Sequence, residues 1–114
     1  MTLFFMQEFS FIQRTTEKDW KVKTHKYTYA IERADNKQEL LAFHWEDPPK
    51  KVHYPHAHLP LPHISRKAHI PTGRVPLEDV VWFIIKELDV PPLNKKWEKV
   101  ILEAREKFIK YKTW

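Results

Sequence analysis

Six of the nine prolines in this 114-residue chain lie in residues 48–74, together with its only glycine, Gly73. Proline has no backbone N–H to donate, so it is confined to the ends, edges and bulges of β-sheets. Pro48 and Pro49 therefore end any strand that precedes them, and the proline-rich stretch divides the chain into three parts. We expect strands in residues 1–47, a basic segment rich in histidine and proline in residues 48–75, and helices in residues 76–114.

The part before the prolines has the apolar alternation that is typical of strands. Residues 3–14 predict a first strand, and residues 22–33 and 39–46 predict a hairpin whose turn contains Asp35 and Asn36. Alternation places the following side chains on one face of their strand: Tyr27, Tyr29 and Ile31 in the first strand of the hairpin, and Leu41, Phe43 and Trp45 in the second. The opposite face of the second strand carries Leu40, Ala42 and His44.

The next extended piece is predicted in residues 56–64. Pro60 and Pro62 are two residues apart, so they remove hydrogen-bond donors from the same edge of that piece. We therefore expect an edge strand or a polyproline-like run, with His56 and His58 projecting from one face.

Two helices are predicted after Gly73. Pro76 suits the first position of a helix, and the residues that follow repeat apolar side chains at helical spacing up to Leu88. Asn94 suits the N-cap of a second helix. Strands followed by helices indicate the α+β class: a single two-layer domain over residues 1–114, with an antiparallel sheet of about four strands and two C-terminal helices packed on one face.

The positive charge of the chain is concentrated in the proline-rich stretch. Residues 48–74 contain five Lys and Arg and no Asp or Glu. The residues before them contain seven basic and eight acidic side chains, and the residues after them contain eight basic and seven acidic side chains. The stretch therefore supplies the whole formal net charge of +5. Such a concentration favours an anionic partner such as nucleic acid.

The composition also excludes several classes of protein and of site. Without cysteine the chain can form neither a disulfide nor a thiolate metal site, and its mean hydropathy of −0.62 predicts no membrane association. The amino terminus has no pattern typical of a secretory signal, so we expect a cytoplasmic protein.

Five of the seven histidines lie in the basic stretch, which makes it the candidate site. Cleavage of RNA needs a base for the 2′-hydroxyl, an acid for the leaving oxygen and cations for the phosphate. Imidazole can serve as either acid or base near neutral pH. The candidate catalytic residues are His53, His56 and His58. The candidate nucleic-acid contacts are Lys51, Tyr54, Arg66, Lys67 and Arg74.

Other interpretations of the same residues stay open. His56 and His58 on one face could share a metal ion with a further ligand, but the stretch has no carboxylate of its own and its cations repel another cation. On balance we assign no metal and no cofactor. The histidines could also be ordinary polar residues that bond to backbone groups, and the proline-interrupted edge could bind a partner protein without any catalysis.

Part of the chain resembles the TumE-type toxins of prokaryotic toxin–antitoxin pairs. The resemblance covers about residues 22–88 and rests on a strand that ends in aromatic and acidic residues, followed by a Pro/His connection and a His-rich strand. The matching residues are Phe43-His44-Trp45-Glu46-Asp47-Pro48-Pro49, then His53, and Pro55-His56-Ala57-His58. The resemblance implies a cytoplasmic protein that binds a cognate antitoxin and acts on RNA.

From these observations we expect a small nucleic-acid-directed protein, the toxin-like component of a two-gene toxin–antitoxin or defence module. Its activity would be that of a metal-independent ribonuclease with the histidine-rich basic surface as its site. Its expected partners are an antitoxin-like or other protein and RNA, with self-association open. The alternatives are a protein-interaction domain and a histidine–metal binding protein.

Overall fold

The computed structural model describes residues 1–13, 20–47, 52–61 and 68–112. It contains five strands followed by two helices: β1 (Thr2–Gln13), β2 (Trp20–Glu32), β3 (Glu39–Glu46), β4 (His56–Leu59), β5 (Ala68–Pro71), α1 (Leu77–Glu87) and α2 (Trp97–Tyr111). The strands form one sheet in the order β1-β2-β3-β4-β5, so each strand pairs with its neighbours in the chain. The predicted α+β class and the order of strands before helices are confirmed, with five strands where about four were expected.

The hairpin of β2 and β3 follows the predicted alternation. The antiparallel register pairs Tyr27 with Trp45 and Tyr29 with Phe43, and it shifts near the turn. Within the turn, Lys37 has a φ of 55°, in the left-handed region that polar turn residues tolerate better than branched ones. The tyrosines of β2 are 1–2% exposed, so this face of the hairpin is buried.

β4 corrects the expectation of a proline-interrupted edge strand. It spans only His56–Leu59 and pairs antiparallel with β3 on one side and with β5 on the other. Pro60 lies just beyond its last residue and removes no donor from the ladder. The outer neighbour is β5, which the sequence interpretation did not predict; it ends at Pro71, in agreement with the tolerance of edge strands for proline. The partner-binding alternative therefore loses the edge on which it was based.

The chain divides into two compact units. The first comprises Met1–Ser10 and Thr24–Arg74, and the second comprises Phe11–Lys23 and Val75–Trp114. The first unit contains β3, β4, β5 and most of β1 and β2, whereas both helices belong to the second. The expectation of a single domain stays a prediction.

The second unit contains the two predicted helices. α1 begins after Pro76, which lies at the N-cap with a φ of −72°, as expected for proline at a helix start. The two helices are joined by a 2.7 Å ion pair between the Arg105 Nε atom and an Asp79 carboxylate oxygen. The rings of Trp82 and Trp97 also lie 5.1 Å apart. Neither helix of the described residues has the length and apolar character needed to cross a bilayer.

The start of α2 differs from the prediction. Asn94 is not its N-cap, because the helix begins at Trp97 and Lys96 occupies the cap position. The Asn94 side chain instead accepts a 2.8 Å hydrogen bond from the backbone N–H of Lys96. This is an Asx-type turn that leads into the helix, a role for which asparagine is equally suited.

Candidate functional site

Three neighbouring strands bring four histidines together on one face of the sheet. Antiparallel pairing sets His44 of β3 directly opposite His56 of β4, and His58 of β4 directly opposite His69 of β5. Residues that face each other across a ladder share a face of the sheet, and so do residues two apart in one strand. We call His44, His56, His58 and His69 the histidine cluster.

The four rings of the histidine cluster lie within ordinary contact distance. The centroids of His56 and His58 are 4.9 Å apart, and those of His69 are 5.0 Å and 4.7 Å from these two rings. The ring of His44 lies 4.3 Å from that of His58 and 5.6 Å from that of His56. The Nε2 atoms of His56 and His58 are 3.1 Å apart. At this distance one proton can bridge the two nitrogens in a hydrogen bond.

Three further ring nitrogens of the cluster lie near a polar group of a neighbouring residue. The Nδ1 atom of His56 lies 2.9 Å from the backbone carbonyl oxygen of Tyr54, and a carbonyl can only accept, so His56 donates from Nδ1. The Nδ1 atom of His44 lies 3.3 Å from the hydroxyl of Thr28. The Nδ1 atom of His58 lies 3.9 Å from a carboxylate oxygen of Glu39. These contacts orient the rings of His56 and His58 with their Nε2 atoms toward each other.

The protonation of His58 is set by its surroundings. Burial and, next, the neighbouring imidazoles of the cluster together lower the pKa of His58 from 6.5 to about 4, whereas Glu39 opposes the shift. Like charges so close together disfavour the protonated form of His58. His58 is therefore neutral at pH 7, with a lone pair available on one of its nitrogens.

The histidine cluster lines an open cavity of about 370 Å³. The remaining lining residues are Lys26, Tyr27, Thr28, Trp45, Glu46 and Val52. Lys26 and Glu46 face each other across β2 and β3, with 3.5 Å between the ammonium nitrogen and a carboxylate oxygen. The cavity is therefore rich in imidazole, with one lysine and one glutamate that offset each other.

The candidate catalytic residues are only partly brought together. His56 and His58 share a face, as predicted, but His56 is 8% exposed and lies in the interior rather than on an exposed rim. The difference arises because β4 has a strand on each side. His53 is exposed and precedes β4, and the cavity is lined by other residues.

The candidate nucleic-acid contacts are described only in part. Tyr54 is 42% exposed, and its ring meets that of His56 edge-to-face with 6.0 Å between the centroids. The guanidinium carbon of Arg74 lies 3.4 Å above the ring centroid of Trp45, and burial lowers the pKa of Arg74. The other three lie outside the described residues: Lys51, Arg66 and Lys67.

Two residues at the site were not assigned roles from the sequence. His69 was counted only as one of the histidines of the basic stretch, and Glu39 only as the start of a strand. The one signal for His69 was its place in the short apolar run Ala68–Pro71, which forms β5. Glu39 gave no signal, because its approach to His58 depends on the pairing of β3 with β4.

No protein-family model matches this chain, and neither the curated proteins nor the solved structures contain a match. The resemblance to the TumE-type toxins therefore stays a prediction.

Proposed function

We propose that this protein acts on RNA through the histidine cluster, as the toxin-like component of a prokaryotic two-gene module. One observation carries the proposal: four imidazoles converge on one open cavity of about 370 Å³. Pockets of roughly 300–1,000 Å³ accept small ligands, and a nucleotide is of that size. Imidazole also has the chemistry that phosphodiester cleavage requires.

RNA is the substrate that this cavity suits best. Its 2′-hydroxyl is an internal nucleophile, so cleavage requires no other attacking group. The 2′-oxygen loses its proton and bonds to phosphorus, the bond from phosphorus to the 5′-oxygen breaks, and the 5′-oxygen takes up a proton. We assign the two proton transfers to the Nε2 atoms of His56 and His58, which lie 3.1 Å apart.

Aromatic and cationic side chains beside the cluster support the choice of a nucleic acid. The exposed ring of Tyr54 lies next to His56, where an unpaired base could stack on it while the adjoining phosphate enters the cavity. Arg74 stays cationic although burial lowers its pKa. The net positive charge of residues 48–74 favours a polyanion in the same region.

The toxin-like role rests on the resemblance described above and on this site. It implies a protein partner of the antitoxin type that blocks the RNA activity. A cell in which the protein is produced alone should stop growing, and production of the His56→Ala, His58→Ala double variant should not have this effect.

The direct test is incubation of the purified protein with end-labelled single-stranded RNA. The double variant should lose at least about 100-fold in cleavage rate, the contribution typical of positioned proton-transfer groups. His25→Gln is the matched control, because it also removes one imidazole; His25 bonds to Ser10 outside the cluster, and glutamine can keep that bond. His53→Ala tests the sequence-based assignment of that residue, and its exposed position predicts a smaller loss.

Circular dichroism and denaturant unfolding show whether each variant is folded, because His56 is buried. If the double variant does not fold, His58→Asn alone gives the test, since that side chain is only partly buried. Cleavage by the folded double variant at the rate of the unchanged protein would overturn the proposal.

A further inference from the structure

We propose that His56, His58 and His69 bind a divalent first-row transition-metal ion, of which zinc is the best fit. The inference concerns the site of the proposed function but does not depend on RNA cleavage. Each of the three residues offers one ring nitrogen, and these nitrogens all lie within 4.8 Å of one another. The three ring centroids form a nearly equilateral triangle with sides of 4.9, 5.0 and 4.7 Å.

The distance between the two closest nitrogens suits a tetrahedral ion. Zinc binds imidazole nitrogen at about 2.0–2.1 Å, which puts two ligand nitrogens of a tetrahedron about 3.3 Å apart. The Nε2 atoms of His56 and His58 are 3.1 Å apart, so both can face one ion with little movement. His69 comes from the neighbouring edge strand, and its ring nitrogen, which lies within 4.8 Å of the other two, must move closer to reach the same ion.

The Nδ1 contacts of His56 and His58 are those expected around metal-bound histidines. A ligating imidazole usually donates its second N–H to a carbonyl or a carboxylate, which fixes the tautomer and directs the other nitrogen at the metal. His56 donates from Nδ1 to the carbonyl of Tyr54 at 2.9 Å. The Nδ1 atom of His58 faces the carboxylate of Glu39 at 3.9 Å. The hydrogen bond of His56 leaves its Nε2 lone pair for the ion. Glu39 is too far from His58 for a hydrogen bond, but it supplies negative charge close to the ion.

The donor set also selects among metals. Three neutral imidazoles without cysteine suit zinc, copper, nickel or iron, whereas calcium and magnesium require oxygen ligands. Repulsion from nearby cations is limited, because Lys26 lies beside Glu46 and Arg74 stacks on Trp45.

With three protein ligands, a tetrahedral ion keeps a fourth coordination position for a ligand in the cavity. His44 is assigned a positioning role: its ring lies 4.3 Å from that of His58, and its Nδ1 atom contacts Thr28. A site with three histidines and an open position is typical of catalytic rather than structural zinc. An ion held by the Nε2 atoms of His56 and His58 would keep them from transferring protons, so the RNA cleavage proposed above would belong to the metal-free protein, and a water molecule or a phosphodiester would take the open position of the ion.

The test is calorimetric titration of untagged, chelator-treated protein with Zn²⁺, in the absence of RNA. We expect one ion per chain, and Co²⁺ should give the visible absorption of a tetrahedral site. His58→Ala and His69→Ala should each weaken binding by at least about 100-fold, and Glu39→Gln by about 10-fold, within the range for residues that orient ligands. His25→Gln should bind as the unchanged protein does, and Mg²⁺ should not bind at the site.

A second readout separates loss of the site from loss of the fold. Zn²⁺ should raise the unfolding temperature of the unchanged protein and of His25→Gln, but not that of His69→Ala, whose metal-free form should melt like the unchanged metal-free protein. Undiminished zinc affinity in His69→Ala, or the absence of bound zinc in the unchanged protein, would overturn the inference. Because RNA is absent, neither result bears on whether RNA is the substrate.

Discussion

The two faces of the β2–β3 hairpin carry different kinds of side chain, although both result from the same alternation along the strands. One face, which we call the tyrosine face, carries Tyr27, Tyr29 and Ile31 of β2 and their partners Leu41, Phe43 and Trp45 of β3. The β2 members are 1–2% exposed, and the rings of Tyr27 and Tyr29 stack with 4.7 Å between their centroids. The opposite face, which we call the histidine face, carries Thr28 and His44, and it continues through the rest of the histidine cluster on β4 and β5.

Alternate residues of the same strands therefore serve stability on one face and function on the other. The tyrosine face buries apolar area, which is the main source of folding free energy. The histidine face carries polar groups whose hydrogen bonds offset the cost of burial but add little net stability. Removal of a large side chain from the first face should therefore lower the free energy of unfolding most, whereas removal of one from the second should mainly weaken ligand binding.

The largest effect is expected from Ile31→Ala on the tyrosine face. Ile31 is 1% exposed, so truncation leaves a cavity and should lower the free energy of unfolding by about 2–5 kcal/mol. Urea denaturation measures this loss, and the folded fraction should keep its zinc affinity. Leu93→Ala is the control, because Leu93 is fully exposed and its loss should change stability by less than about 0.5 kcal/mol. A similarly small change for Ile31→Ala would show that this face does not hold the fold.

The second-largest effect is expected from a substitution that places a larger side chain on the histidine face. Ala42 is 0% exposed and is paired with His58 across the ladder. Ala42→Leu should cost about 1–3 kcal/mol through overpacking and should also displace the His58 ring. We therefore expect zinc binding to fall together with stability, as seen by calorimetry and urea denaturation. Ala34→Leu, in the exposed turn, should alter neither quantity; retention of zinc binding in Ala42→Leu would contradict the packing described here.

The sequence was sufficient to predict both faces of the hairpin. Alternation is a local property, so the shared face of Tyr27 and Tyr29 and the opposite placement of His44 could be predicted without knowledge of the rest of the fold. The same holds for α1, because helical spacing and Pro76 are local signals. The placement of His56 and His58 on the same face of β4 followed from the same reasoning.

The full histidine cluster could not be predicted, because it depends on long-range pairing. His69 joins His58 only through the register of β4 with β5, and a shift of one residue would turn it to the other face. The burial of His56 was missed for the same reason, since Pro60 and Pro62 indicated an edge where two strands in fact flank β4. Pro60 removes a ladder donor only at its own position, and β4 ends one residue before it, at Leu59.

A smaller effect is expected where Arg74 meets the tyrosine face. Its guanidinium carbon lies 3.4 Å above the ring of Trp45, a cation–π contact that a lysine ammonium does not reproduce with the same planar stacking. Arg74→Lys keeps the charge and should cost about 0.5–2 kcal/mol in unfolding free energy. Combination with Trp45→Leu in a double-mutant cycle isolates the contact. Zero coupling in that cycle would show that the contact between Arg74 and Trp45 does not contribute to stability.

The smallest effect on stability is expected from Lys26→Gln on the histidine face. Lys26 and Glu46 are 33% and 29% exposed and 3.5 Å apart, and ion pairs of this kind contribute about 0–1 kcal/mol, less in high salt. Both residues line the cavity, so loss of the lysine should instead weaken RNA binding, as measured by fluorescence anisotropy at low salt. Lys99→Gln is the matched control, because Lys99 forms an exposed pair with Glu103 on α2. If Lys26→Gln lowered stability as much as Ile31→Ala does, the histidine face would also hold the fold, and the division of labour between the two faces would not stand.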